Sequence, residues 1–169
     1  MKFNSLQDVF VHQLEDLRSA EQQLIEALPK MASAASTDEL KTAFNEHLEE
    51  TRGHLRRIEE LLPTLDVTPS NETCKGMQGL IREGDEVISA QGDPIARDAA
   101  IIAAAQRVEH YEIAGYGTAA TLADHLDLDD AQDVLGQTLD EETSADKLLT
   151  KIATGGMFKT GVNERAART

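Results

Sequence analysis

His47-Leu48-Glu49-Glu50-Thr51-Arg52-Gly53-His54 lies inside a segment where Leu40, Phe44, Leu55, Ile58 and Leu62 recur at helical spacing. Positions three and four apart share one face of an α-helix. His47, Glu50 and His54 therefore project from one side, and that side carries the apolar seam. A second stretch repeats the pattern: Glu49-Glu50-Thr51 followed by His54 matches Glu141-Glu142-Thr143 followed by Asp146. The seam around the second copy reads Leu135, Leu139, Glu142, Asp146, Leu149, Ile152. Two similar helices with acids on their inward faces suit a bundle of two related hairpins around a polar centre.

Working outward, the rest of the chain is also helical in pattern. Aromatic residues are only 4% and Trp is absent; no useful run alternates as a strand would, while Ala, Leu, Glu and Gln dominate. Ser5 with Asp8 predicts a capping box that opens a first helix running to about Ala34, with Phe10, Leu14, Leu17, Leu24 and Leu28 as its seam. Thr37 is expected to cap the second helix and Pro63 to stop it. Residues 63–73 read as a loop, followed by a short helix from Thr73 to Ala90. Gly92-Asp93-Pro94 introduces a third long helix to about His125, and a fourth runs from Asp127–Asp129 to Thr154, ended by Gly155 and Gly156. The expected fold is all-α: a four-helix bundle with a short extra helix in the long connection between helices 2 and 3, a connection that matches the ferritin-like topology among other bundles. A single domain over 1–156 would precede a loosely held tail, 157–169.

Charge and composition exclude several function classes. With 16 Lys and Arg against 31 Asp and Glu, the formal charge of −15 disfavours nucleic acid and favours cations. Apolar runs such as Ala99–Ala105 are too short to span a bilayer, and the first residues lack an apolar signal core. Cys74 is the only cysteine, so no internal disulfide framework exists. The expectation is a cytoplasmic protein that binds neither nucleic acid nor membrane.

The polar residues on the inward seams carry the chemistry. Glu21 sits between Leu17 and Leu24, and Glu109 and Glu112 lie among Ile102, Val108, Ile113 and Tyr116. Buried carboxylates are costly unless paired, protonated or metal-bound, and few basic residues occupy seam positions. Two bridged divalent cations would resolve the conflict, as in bundles where two helices give one Glu each and two give a Glu-plus-His pair. Here the singles are Glu21 and Glu109, and the pairs are Glu50 with His54 and Glu142 with Asp146. Glu50 and Glu142 would bridge, Glu21 and Glu109 would be terminal, and His54 and Asp146 would complete the ends. His47 and Glu112 are expected to orient these ligands from outside, with Tyr116 adding a hydrogen bond. Both pairs are spaced by four where three is usual, and Asp146 replaces a histidine. Glu15 competes with Glu21, because Leu14-Glu15 aligns with Val108-Glu109. Glu15, Glu49 and Glu141 are off-seam and read as solvated surface. Two cations per chain are expected, with Fe favoured and Mn or Mg as alternatives.

Ser19-Ala20-Glu21, His47-Leu48-Glu49-Glu50-Thr51, Cys74-Lys75-Gly76-Met77 with Gly79-Leu80-Ile81, and Glu109-His110-Tyr111-Glu112-Ile113-Ala114-Gly115-Tyr116-Gly117 together resemble the YciE/YciF-like family of ferritin-like bacterial stress proteins, distant relatives of rubrerythrin. The resemblance runs from about Leu6 to Ala153. It implies a ferritin-like bundle, a homodimer and a dinuclear metal site, with Glu109 and Tyr116 matching a ligand Glu and its nearby Tyr. The resemblance implies a link to stress responses and no particular reaction; the dinuclear carboxylate site adds the expectation of handling iron, O₂ or peroxide, with peroxidase or ferroxidase chemistry as the candidate and no catalytic residue assigned. The alternative is a non-enzymatic helical dimer with an acidic polar core or a structural Mg or Ca site.

Overall fold

The computed structural model describes residues 2–156 and 159–168. Its elements are α1 (Leu6–Ala34), α2 (Asp38–Thr64), α3 (Lys75–Ile88), α4 (Pro94–His125), α5 (Asp129–Thr154), β1 (Gly155–Gly156), β2 (Lys159–Thr160) and α6 (Val162–Ala166). The capping box forms as the sequence predicts: Ser5 accepts from the Asp8 amide, and the Asp8 carboxylate accepts from Ser5. At α2 the cap differs. Thr37 occupies the N-cap position without a side-chain bond. Asp98 of α4 replaces it, accepting from the amides of Ser36 and Thr37 and from the Ser36 hydroxyl. A carboxylate reaching over from another helix satisfies the amides of Ser36 and Thr37, at the entry to α2, and complements the helix dipole. Pro63 falls inside the last turn of α2, which ends one residue later.

α1 and α2 form one hairpin and α4 and α5 the other. Arg18 bonding Glu59 and Glu21 approaching His54 show that α1 and α2 are antiparallel. Ser36 near Asp98 and Tyr116 near Glu21 show the same for α1 and α4. α2 and α4 therefore run parallel, so residues 65–93 must carry the chain back along the bundle. α3 lies in that crossover and packs on α1 and α4. This is the ferritin-like topology.

The apolar interior falls into two clusters. One contains Leu24, Leu28, Leu40, Phe44, Ile101, Ile102, Leu149 and Ile152. The other contains Phe10, Leu14, Leu17, Ile58, Leu62, Ala119, Ala123 and Leu135. Burying such side chains is the main stabilising term, about 1.5–3 kcal/mol for each large one. The layer separating the clusters is polar, and it is the candidate site.

The chain after α5 is expected to be loosely held; part of it, including Met157 and Phe158, lies outside the described residues. The described part returns to the bundle. β1 pairs with β2 in antiparallel register, Gly155 opposite Thr160, and Val162 of α6 is buried in the first apolar cluster. Glycine permits the return: Gly155 has φ 75°, and a Cβ there would lie 2.3 Å from the Lys159 carbonyl. No helix among the described residues is long and apolar enough to cross a membrane.

Candidate metal centre

Each long helix of the bundle contributes to the polar layer. α1 supplies Glu21, α2 His47 and His54, α4 Glu109 and Glu112, and α5 Glu142; all six are buried. Their ligand atoms fall into two groups, His47–Glu109–Glu112–Glu142 and Glu21–His54–Glu142, with the atoms of each group within 4.8 Å of one another. Glu142 belongs to both. His47 Nε2 lies 3.5 Å from Glu109 Oε2 and 3.6 Å from Glu142 Oε2. His54 Nδ1 lies 2.8 Å from Glu142 Oε1, without hydrogen-bond alignment, and 3.7 Å from Glu21 Oε1.

These side chains are unsatisfied in a particular way. Among the described residues, the buried side-chain atoms lacking a hydrogen-bond partner are Glu21 Oε2, His47 Nε2, His54 Nδ1, Glu109 Oε2, and both oxygens of Glu112 and Glu142. The remaining two are Thr37 Oγ1 and Arg97 Nε, outside the layer. Orphaned buried polar atoms are rare and each costs about 1–3 kcal/mol. Here they are all potential metal donors on six neighbouring side chains. Four carboxylates and two imidazoles are also the total donor set of a dinuclear bundle site, so the residues present fit such a centre.

The electrostatics express the same conflict. Burial pushes Glu21 up to about 8, reinforced by Glu142 and opposed by His54. Burial likewise holds Glu109 up at about 8 while His47 pulls it back. Glu112 lies well above the ordinary carboxylate range through burial beside Glu142 and Glu21. Burial would lower His47, but Glu109, Glu50 and Glu142 outweigh it and lift the imidazole to about 10. His54 is raised in the same way, burial being overcome by Glu142, Glu21 and Glu141. Burial therefore favours the protonated form of Glu21, Glu109 and Glu112, while the neighbouring acids favour the charged form of both imidazoles.

The histidines are held from outside by acids. His54 Nε2 lies 2.8 Å from Glu141 Oε2. Hydrogen bonds from Arg57 hold Glu141 down at about 2, so it is an ionised acceptor and the Nε2–H must donate. Nδ1 faces the cluster, toward Glu21 and Glu142. His47 mirrors it: Nδ1 lies 3.2 Å from Glu50 Oε2, and Nε2 faces inward. Tyr116, fully buried, donates to Glu21.

Of the side chains expected as ligands, Glu21, His54, Glu109 and Glu142 come together. Glu50 and Asp146 do not. The Glu50 side chain is 49% exposed and turned to the outer edge of His47. Asp146 is 20% exposed, accepts from Gln106 and faces His110. The reason is phase. At about 100° per residue, His47, Thr51, His54 and Ile58 line the buried face of α2, whereas Glu50 falls at its margin. Leu135, Glu142 and Leu149 centre the face of α5, and Asp146 lies off it. His47 and Glu112, expected outside, are among the converging side chains instead. The seven-residue spacing of His47 and His54 is the signal for the first. Glu15 accepts from the Ser70 amide and steadies the crossover, so Glu21 alone represents α1 in the cluster. Glu141, expected as solvated surface, has no sequence signal for its part; Arg57 and His54 reach it across the helix interface.

Fold and site together define a ferritin-like helical bundle with a buried carboxylate–histidine cluster at mid-height. The chain belongs to the DUF892 family, a domain of unknown function, matching it over residues 5–167. It is 45% identical over 165 residues to Protein YciF of Escherichia coli (strain K12), covering 97% of this chain and 99% of that protein. The crystal structure of the E. coli stress protein YciF superposes with a TM-score of 0.85 at 47% identity, covering 88% of this chain and 94% of that one. YcfI from Rhodopseudomonas palustris superposes with a TM-score of 0.85 at 40% identity, covering 89% and 96%. A ferritin-like, diiron-carboxylate protein from Bacillus anthracis str. Ames shares the fold at 16% identity, with a TM-score of 0.67 and coverage of 88% and 98%.

Proposed function

We propose that this protein binds two divalent cations in the polar layer, iron foremost, and that it handles iron, O₂ or peroxide as a stress protein. The observation that carries the reading is the convergence of unpartnered buried donor atoms around Glu142. His47, Glu109 and Glu112 would hold one cation, Glu21 and His54 the other, and Glu142 would be shared. With His47 inside and Asp146 outside, the donor set carries two imidazoles, which suits Fe or Mn better than an all-oxygen set would. A pair of ferrous ions held there would supply electrons for reducing O₂ or H₂O₂. The chain's own part is to desolvate the site between two apolar layers, fix each imidazole through an outer acid, and hold Glu21 by the Tyr116 hydroxyl. The homodimer implied by the family resemblance belongs to the same proposal.

The test is metal content after anaerobic Fe(II) loading, then O₂ and H₂O₂ consumption. Two Fe per chain, with uptake lost in Glu142→Ala, is the expected result. A protein that takes up no divalent metal, or takes it up equally well without Glu142, overturns the reading. A second reading is a protein acting through partner contacts, with the cluster as a protonated polar core. The raised Glu21, Glu109 and Glu112 favour it. It requires Glu142→Gln to leave stability unchanged or raise it, whether or not Fe(II) is present.

A further inference from the structure

The two halves of the cluster share Glu142 but differ in how their histidines are held. Glu141, which accepts from His54, is itself fixed by both terminal nitrogens of Arg57 and by Gln137 Nε2 at 3.0 Å. Arg57 is tied in turn to Thr138 Oγ1 at 3.0 Å. That side is a closed hydrogen-bonded cap. On the other side Glu50 is half exposed, and among the described residues its carboxylate bonds only His47. Beside it a cavity of about 120 Å³ lies between α2 and α5, walled by Ala43, Glu50, Ala145 and Leu148, with His47 and Glu109 at its inner end. The orphaned His47 Nε2 and Glu109 Oε2 belong to those two inner residues.

We infer that the halves are inequivalent: the His47 half is the exchange site, where divalent cations enter and leave past Glu50, and the His54 half retains its cation. The inference rests on the proposed metal reading. It follows from stiffness and access. An outer acid locked by a guanidinium and an amide holds its imidazole against the motion that ligand release requires, whereas a half-exposed acid does not. Glu50 also offers a solvent-facing carboxylate at the cavity mouth, where an arriving cation can be met before it is desolvated.

The full-length protein, loaded anaerobically with Co²⁺ as the probe, tests this through the absorbance of the bound ion during chelator-driven release. Two bound ions should leave in two phases of equal amplitude. Glu141→Ala should accelerate the slow phase by about 10–100-fold, the usual effect of losing an outer partner, and Glu50→Ala should change the fast phase alone. Glu50→Gln, which keeps an acceptor for His47, should largely restore the fast phase, separating positioning from damage to the fold. Ala145→Leu, narrowing the cavity, should slow uptake without changing the number bound. Two ions released in a single phase, a slow phase that follows Glu50, or uptake indifferent to Ala145→Leu would each overturn the inference while leaving the metal reading intact. A wild-type protein that binds neither Co²⁺ nor Fe²⁺ overturns both.

Discussion

Asp98 and Glu112 are both carboxylates of α4 with no exposed surface, yet they are held in opposite ways. Asp98 accepts three hydrogen bonds where α2 begins, at 2.8–3.0 Å, and closes the α1–α2 turn. Glu112 has neither oxygen bonded and faces Glu142, Glu109 and His47. Burial by itself therefore says little about what an acid is for. A satisfied buried carboxylate is part of the scaffold. An unsatisfied one among other donors is a weak point in the fold and marks a candidate site.

That contrast can be broken most sharply by making both acids apolar. Asp98→Leu leaves the Ser36 and Thr37 amides without their acceptor, and should cost about 2–3 kcal/mol in urea denaturation, with or without metal. Next in size is metal loading of the wild type, which should add about 2.7 kcal/mol at a free Fe(II) concentration 100 times the Kd. This gain should depend on pH. Glu21 and Glu109, raised to about 8, bind protons in the folded state that the unfolded chain has lost above about 4.5. His47, raised to about 10, extends the same imbalance above 6.5. The metal-free protein should therefore lose stability steadily from pH 5 to pH 9, while cation affinity rises because binding displaces those protons. Thermal melts in chelator and titrations with Mn²⁺ across that range check both signs; a metal-free protein that is more stable at pH 8 than at pH 5 contradicts them. The smallest expected effect is Glu112→Met, which should raise metal-free stability by about 1 kcal/mol and remove most of the metal-linked gain. If Glu112→Met destabilises the metal-free protein as Asp98→Leu does, the two acids are not different in kind.

Much of the bundle is readable from the chain. The capping box at Ser5, the apolar seams and the turn at Gly92-Asp93-Pro94 each act within a few residues, and local physics sets them. The centre is readable only in part. Glu21, Glu109 and Glu142 stand out because an acid within an apolar seam is costly to bury unless something pairs with it. Glu50 and Asp146 look equivalent to them at that level, since a spacing of three or four residues resolves a face no better than about 40–60°.

What the chain alone determines, then, is helix placement, inward acids and the expectation of a cation, because each follows from periodicity and the cost of burying charge. Which acids converge is decided between helices. Rotation of α2 turns His47 inward and leaves Glu50 at the rim, and rotation of α5 leaves Asp146 beside Gln106. Glu141 becomes a partner of His54 only because Arg57 on α2 reaches it across the interface. The tail returns only because Gly155 and Gly161 allow a close backbone turn and Val162 finds a place in the core. Such contacts depend on helix rotations set by the packing of the whole bundle, and no stretch of one helix contains that information.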